Sequence, residues 1–207
     1  MSELGEQIDK GEIREKYDDL YPKFQQLGEK IKEIIEHGLK SERNKIDYFS
    51  VKFRLKEFDS FIKKIIKKKC FENPFEAIND ILGVRVITYF KSDRVKVREF
   101  ITNEFELIKP VDDKSMALSL EEFGYQAIHC DVKLNKTRQK LPECNEYKDS
   151  CAEIQICTIN QHAWSEIFHK MDYKPKDPSL KLPSELKRRL GLLISKNTIT
   201  VDSYEYR

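Results

Sequence analysis

No run of apolar residues in this 207-residue chain reaches the roughly 20 needed to cross a bilayer, so no membrane-spanning helix is expected. The opening Met1-Ser-Glu-Leu-Gly-Glu has neither the basic nor the apolar region of a secretory signal. Five cysteines include no C-x-x-C pair and no zinc-type spacing, which predicts reduced thiols in a cytoplasmic protein rather than a disulfide framework. Internal repeats and low-complexity linkers are missing as well. A net charge of +2 is too small to mark a nucleic-acid binder by composition. Charge of both signs is abundant: Asp, Glu, Lys and Arg make up 36% of the chain against 39% hydrophobic residues. That balance predicts one strongly solvated domain over 1–207. Positive charge is concentrated in "FIKKIIKKK" (61–69).

Apolar periodicity divides the chain into elements. From about 12 to 39, Ile13, Tyr17, Leu20, Phe24, Leu27, Ile31, Ile34 and Ile35 recur at helical spacing, with His37-Gly38 as the end. Pro22 marks a break or a second start. "DYFSVKFRLKE" (47–57) alternates, with Val51, Phe53 and Leu55 on one face and Lys52, Arg54 and Lys56 on the other. "EFDSFIKKIIKKKC" (57–70) switches to helical period and buries Phe58, Phe61, Ile62, Ile65 and Ile66. A β-branched strand follows at 81–90, then a helix at 92–105 capped by Ser92. After a polar loop (110–123) come strands at 124–134 and 151–158, a helix at 159–174 and a closing helix at about 182–200. This order predicts an α+β domain, a mixed β-sheet of about five strands with helices packed mainly on one face. The other face would be open.

Polar residues point toward that face. Lys52, Arg54 and Lys56 repel one another unless an anion sits among them, and Ser60 and Lys64 continue the basic side into the next helix. A helix start with a hydroxyl and lysines suits phosphate; a solvated, lysine-protected edge strand is the plainer alternative. Asp80 stands at the mouth of a strand and Arg85 within it. A permanently charged arginine there needs a partner, either an ion pair or a stacked aromatic base. Asp80 and Glu153 are candidates to share Mg²⁺, which takes few carboxylates and completes its shell with water and phosphate oxygens. In "GYQAIHCDVKL" (124–134), Tyr125, Ala127, His129 and Asp131 form the face opposite Ile128, Cys130, Val132 and Leu134. His162, Glu166, His169 and Tyr173 lie on one helical stripe, with Trp164, Ile167, Phe168 and Met171 on another.

Four of these segments resemble the synthetase domain of RelA/SpoT-type alarmone synthetases, in particular the small stand-alone members. "RLKEFDSFIKK" is similar to the family's Arg-x-Lys-x-x-x-Ser-x-x-x-Lys element, and "DILGVRV" to its Asp-x-x-Gly-x-Arg strand. "GYQAIH" resembles its guanine-stacking loop, and "EIQICTINQHAWSEIFHKMDYK" its Glu-Ile-Gln-Ile-Arg-Thr strand and helix. The resemblance implies a nucleotidyltransferase-like fold that moves the pyrophosphate of ATP to the 3′-hydroxyl of a guanosine nucleotide, GDP or GTP. It implies ATP binding by Arg54, Lys56, Ser60, Lys64 and Arg85, and catalysis on Mg²⁺ at Asp80 and Glu153, with Glu153 also the candidate base. Acceptor binding would fall to Tyr125, His129, Gln155 and His162, with Lys52, Glu166, His169 and Tyr173 in support.

Two departures bear on the acceptor. The family arginine in the Gln-Ile-Arg-Thr step is Cys157 here, and Glu121 and Glu122 stand where long members carry a basic segment. Fewer cations there weaken the fit to a free GDP or GTP. The sequence contains no His-Asp dipeptide, so the hydrolase half of long members is not expected. Some small members are toxins of toxin–antitoxin pairs that pyrophosphorylate the 3′-terminal adenosine of tRNA, and Lys67, Lys68 and Lys69 could serve a tRNA backbone. An antitoxin or a homo-oligomeric partner could pack on the outer helices. A third reading is an inert nucleotide-binding signalling module.

Overall fold

The computed structural model describes residues 9–113 and 127–168, with isolated helical positions between 185 and 196. In chain order the elements are α1 (Lys10–Lys40), β1 (Ser50–Leu55), α2 (Phe58–Lys68), α3 (Pro74–Ala77), β2 (Leu82–Thr88), α4 (Lys91–Glu104), β3 (Phe105–Leu107), β4 (Asp112–Asp113), β5 (Ile128–Leu134), α5 (Lys136–Gln139), a 3₁₀ turn (Pro142–Tyr147), β6 (Ala152–Thr158) and α6 (Ile159–Phe168). The strands form one mixed six-stranded sheet in the order β1-β2-β6-β5-β3, with β4 also beside β5. β2 and β6 are parallel, and every other pair is antiparallel.

Strand alternation and register together build the core. Val51, Val86, Ile156 and Ile128 align across four strands, and Phe53, Val84, Ile154 and Cys130 form the next row. Against these rows α1 lays Leu27, Ile31, Ile35 and Leu39, four residues apart and almost wholly buried. Each such side chain contributes about 1.5–3 kcal/mol on leaving water. The close approach requires glycine at one point, since a Cβ on Gly28 would run into the Phe53 ring. Phe61, Ile62 and Ile65 of α2 and Val97 and Ile101 of α4 complete the core.

Local expectations changed in three places. Pro22 lies inside an unbroken α1, because Tyr17, Phe24 and Leu27 anchor the helix to the core on both sides of it. Ser92 is not the cap of α4, which starts at Lys91 with Phe90 in the cap position, so Ser92 sits in the first turn. The expected loop contains β4, and β3 begins at the last residue of the expected helix and runs on past it; their two or three residues are too few for periodicity to register, and pairing with β5 makes them strands. The strand expected from 124 is described from Ile128 onward.

One end of the opposite sheet face is covered. Ile87, Cys157 and Ala127 are fully buried there and, with Ile159 at the start of α6, form a second small apolar cluster. The rest of that face carries polar residues.

Candidate active site

The strand registers convert scattered polar residues into two rows on the face away from α1. One runs Arg54, Gly83, Glu153, Asp131 across β1, β2, β6 and β5. The other runs Lys52, Arg85, Gln155, His129, Asp112 and ends on β4. A slip of one residue in any strand would send its members into the core. Gly83 leaves a gap in the first row. A Cβ there would meet only the Arg54 carbonyl oxygen, at 3.8 Å, and no glycine in the described residues has a positive φ. Neither packing nor backbone conformation demands glycine at this point.

Asp80 lies in the turn just before β2, three residues ahead of Gly83. Its Oδ2 accepts Lys56 Nζ at 2.9 Å and Lys64 Nζ at 2.5 Å, and its side chain is only 16% exposed. Oδ1 is buried and has no hydrogen-bond partner among the described residues. Lys56 comes from the end of β1 and Lys64 from α2, so the carboxylate joins two elements by a pair of charge-assisted bonds. Ser60 is half-buried one turn before Lys64.

Glu153 is held differently. His129 Nδ1 lies 3.0 Å from its Oε1, and Gln155 Nε2 donates to its Oε2 at 2.6 Å. Burial by itself would push the carboxyl up. The His129 hydrogen bond and charge, the Gln155 bond and the charge of Lys64 outweigh it and hold Glu153 at about 2. Lys64 thus acts on both carboxylates, which brings Asp80 and Glu153 into one electrostatic environment.

Arg85 is engaged in an ion pair with α6, which leaves the face of its guanidinium plane to either alternative. Its guanidinium donates to Gln155 Oε1 at 3.3 and 3.1 Å and to Glu166 Oε1 at 2.9 Å, and lies 2.9 Å from His162 Nδ1. That network attaches α6 to the polar face. His162 is shifted below its ordinary value, by burial first and then by Arg85, against the opposing pull of Glu166. The Cys157 thiol is pushed up to about 11, chiefly by burial, and is a packed group rather than an exposed nucleophile.

The fold therefore gathers Lys52, Arg54, Lys56, Lys64, Asp80, Arg85, His129, Glu153, Gln155, His162 and Glu166 along one side of the sheet. Tyr125, His169 and Tyr173 lie outside the described residues. Three neighbours carried no sequence signal strong enough to be singled out: Asn79, Lys109 and Asp131. Asp131 accepts Asn79 Nδ2 at 2.8 Å and Lys109 Nζ at 2.9 Å. Only its place on the polar face of the 124–134 alternation pointed to it. A separate cavity of about 730 Å³, lined in part by Lys30, His37, Arg43 and Arg138, shares no residue with this site.

Known proteins match both sequence and fold. The region found in RelA / SpoT proteins matches residues 53–178, more than half of the chain. The GTP pyrophosphokinase YwaC of Bacillus subtilis is 32% identical over 156 residues, covering 73% of this chain and 70% of that protein. A GTP pyrophosphokinase family protein from Streptococcus pneumoniae has a similar fold, with a TM-score of 0.72 at 21% identity, covering 92% of this chain and 91% of that one. The small alarmone synthetase 1 of Bacillus subtilis gives a TM-score of 0.71 at 24% identity, covering 92% and 94%. Its forms bound to the product pppGpp and to AMPCPP give 0.69 and 0.66. A sequence match this long and specific, carried on the same fold, makes the chain a member of the RelA/SpoT family, akin to the small alarmone synthetases.

Proposed function

We propose that the chain is an ATP-dependent pyrophosphokinase that transfers the β,γ-pyrophosphate of ATP to the ribose 3′-hydroxyl of GDP or GTP and releases AMP. The observation that carries this reading is the Asp80 clasp. Two lysines and a carboxylate oxygen that is buried and unpartnered among the described residues stand just ahead of β2, the strand that sets Gly83 in a row with Arg54 and Glu153. Lys56, Lys64 and Ser60 bind the triphosphate, and the gap at Gly83 admits it close to the sheet. Arg54 and Arg85 flank the adenine, with Arg85 held in a fixed plane by Gln155 and Glu166. Tyr125 stacks on the acceptor base, while His129 and Gln155 floor its sugar and phosphates.

The donor set fits Mg²⁺. This ion typically takes one or two protein carboxylates plus substrate phosphate oxygens. Among the described residues no group of three or more His, Cys, Asp or Glu could hold a metal without such help. Asp80 offers its unpartnered Oδ1, and Glu153, held at about 2, remains ionised. When bound, Mg²⁺ supplies neutralising charge at the β-phosphorus. Glu153 orients the 3′-hydroxyl. The hydroxyl oxygen bonds to the β-phosphorus, the bond from that phosphorus to the oxygen bridging the α-phosphate breaks, and AMP departs with that oxygen. Glu153 is the candidate base for the hydroxyl proton; held at about 2 it is a weak one, and the proton moves to it as the bond to phosphorus forms.

A second acceptor has its own support. Lys67, Lys68 and Lys69 are exposed at the end of the helix whose first turns approach Asp80, a placement that suits the backbone of a tRNA 3′ end. In that reading the chain is a toxin, countered by a protein antitoxin. The decisive experiment supplies γ-labelled ATP with GDP, GTP, ATP or bulk tRNA and follows the label. Label on GDP or GTP supports the alarmone reading, and label on tRNA alone supports the toxin. No labelled product despite nucleotide binding would leave the inert signalling module.

A further inference from the structure

The pair Asn79–Asp131 plays no part in the account so far, although it touches the site at its most sensitive point. Asp131 lies on β5 directly opposite Glu153, so two carboxylates face each other across neighbouring strands. Like charges in that arrangement repel. The Asp131 side chain is 4% exposed, and its Oδ1 has no hydrogen-bond partner among the described residues. An apolar residue would fill this place with less electrostatic cost. What the carboxylate does make is two bonds from one oxygen. Oδ2 accepts Asn79 Nδ2 at 2.8 Å and Lys109 Nζ at 2.9 Å. Lys109 answers the repulsion, because Asp131, Glu153 and Asp112 together raise its ammonium above the ordinary value, the Asp131 hydrogen bond most of all.

Asn79 is the residue immediately before Asp80, in the same turn. The bond to Asp131 therefore ties the turn that carries Asp80 to β5, on the far side of β2 and β6. The Asp80 carboxylate itself bonds to Lys56 and Lys64, two long side chains that the triphosphate itself would engage, while its turn is also anchored by Lys56 N–H on the Ile81 carbonyl and by buried Ile78 and Ile81. When phosphates draw those lysines away, the bond to Asp131 is the side-chain tie that still fixes the residue next to Asp80 against β5.

We propose that Asp131 is a positioning residue, acting through Asn79 to fix the Asp80 carboxylate where it meets the metal and the nucleotide phosphates. This rests on the pyrophosphokinase reading of the site. It explains a buried carboxylate on the floor whose bonds go to Asn79 and Lys109.

The test uses the full chain with Asp131→Ala, Asn79→Ala, the double variant and the near-isosteric Asp131→Asn. Binding of a non-hydrolysable ATP analogue is measured by calorimetry with and without Mg²⁺, beside turnover of ATP with the acceptor. Partners that orient a metal ligand typically change metal affinity or activity by 10–100-fold. The expected result is that the strengthening of analogue binding by Mg²⁺ falls about tenfold in both alanine variants. Metal-free affinity stays within about twofold, and the double variant is no worse than either single one. Asp131→Asn, which keeps an oxygen for Asn79, restores most of the effect. Equal losses with and without Mg²⁺, or single effects that multiply in the double variant, would overturn the proposal. If Asp131→Ala does not fold, Asn79→Ala and Asp131→Asn decide it by the same criterion. If the wild type turns over no acceptor, the pyrophosphokinase reading fails separately, and the Mg²⁺ dependence of analogue binding still judges Asp131.

Discussion

Replacing His129 with phenylalanine should raise the pH at which Glu153 titrates. In the native protein the carboxyl is held at about 2 rather than 4.5. At about 1.4 kcal/mol per pH unit, that difference is worth about 3 kcal/mol of stability. The folded value lies below the unfolded one, so this contribution is complete above pH 4.5 and disappears as the pH falls toward about 2. His129 supplies the two strongest favourable influences, while burial, the largest influence overall, opposes them. In His129→Phe, Gln155 and Lys64 are left against burial, and Glu153 should titrate well above its wild-type value. The assay is a carboxyl-carbon NMR titration, paired with urea unfolding of wild type, His129→Phe and Glu153→Gln between pH 2 and 7. Subtracting Glu153→Gln removes the other carboxylates. The stability difference between wild type and Glu153→Gln should shrink by about 3 kcal/mol as the pH drops, and the acidic limb of turnover in His129→Phe should move upward. A wild-type Glu153 that titrates near 4.5 would refute the reasoning, as would one that stays at about 2 without His129.

Other consequences follow from the same geometry. Gly83→Ala should fold at least as stably as wild type, gaining about 0.5–1 kcal/mol in chain entropy, yet bind the ATP analogue more weakly. Normal binding by calorimetry would show that the gap serves no ligand. Asp80→Asn should lower turnover by about 100-fold or more, measured as AMP release, and should also reduce stability by leaving Lys56 and Lys64 side by side. Glu166→Gln should shift His162 further down, and Arg85→Met should shift it up, because Arg85 and Glu166 act on it in opposite directions; proton NMR of the imidazole reads both. Ile154→Ala, at the centre of the sheet and fully buried, should cost about 2–5 kcal/mol in denaturant unfolding.

Much of the fold was legible because burial enforces periodicity. The alternation of Val51, Phe53 and Leu55 and the helical recurrence of Leu27, Ile31 and Ile35 each record one buried face, and those faces meet as the registers require. The site was legible where chemistry demands rare residue types. An arginine within an apolar strand and an aspartate at its mouth stood out in "DILGVRV", and both lie on the polar side of the sheet. β3 and β4 were not legible, since two or three residues carry no period and only their hydrogen bonds to β5 make them strands. Ser92 misled because a good capping residue at the second position of a helix looks the same in sequence as one just before its start.

The amino-acid sequence by itself determined which residues are polar on which strand, and so that one face of a sheet would carry lysines, arginines, acids and a histidine. It could not determine which of them touch. Tertiary structure decided that Asp80 sits between Lys56 and Lys64, that Arg85 is engaged by α6, and that Asp131 reaches Asn79. The reason is distance along the chain. Contacts between residues 52 or 81 positions apart follow from strand order and register, which long-range pairing sets and local pattern does not encode.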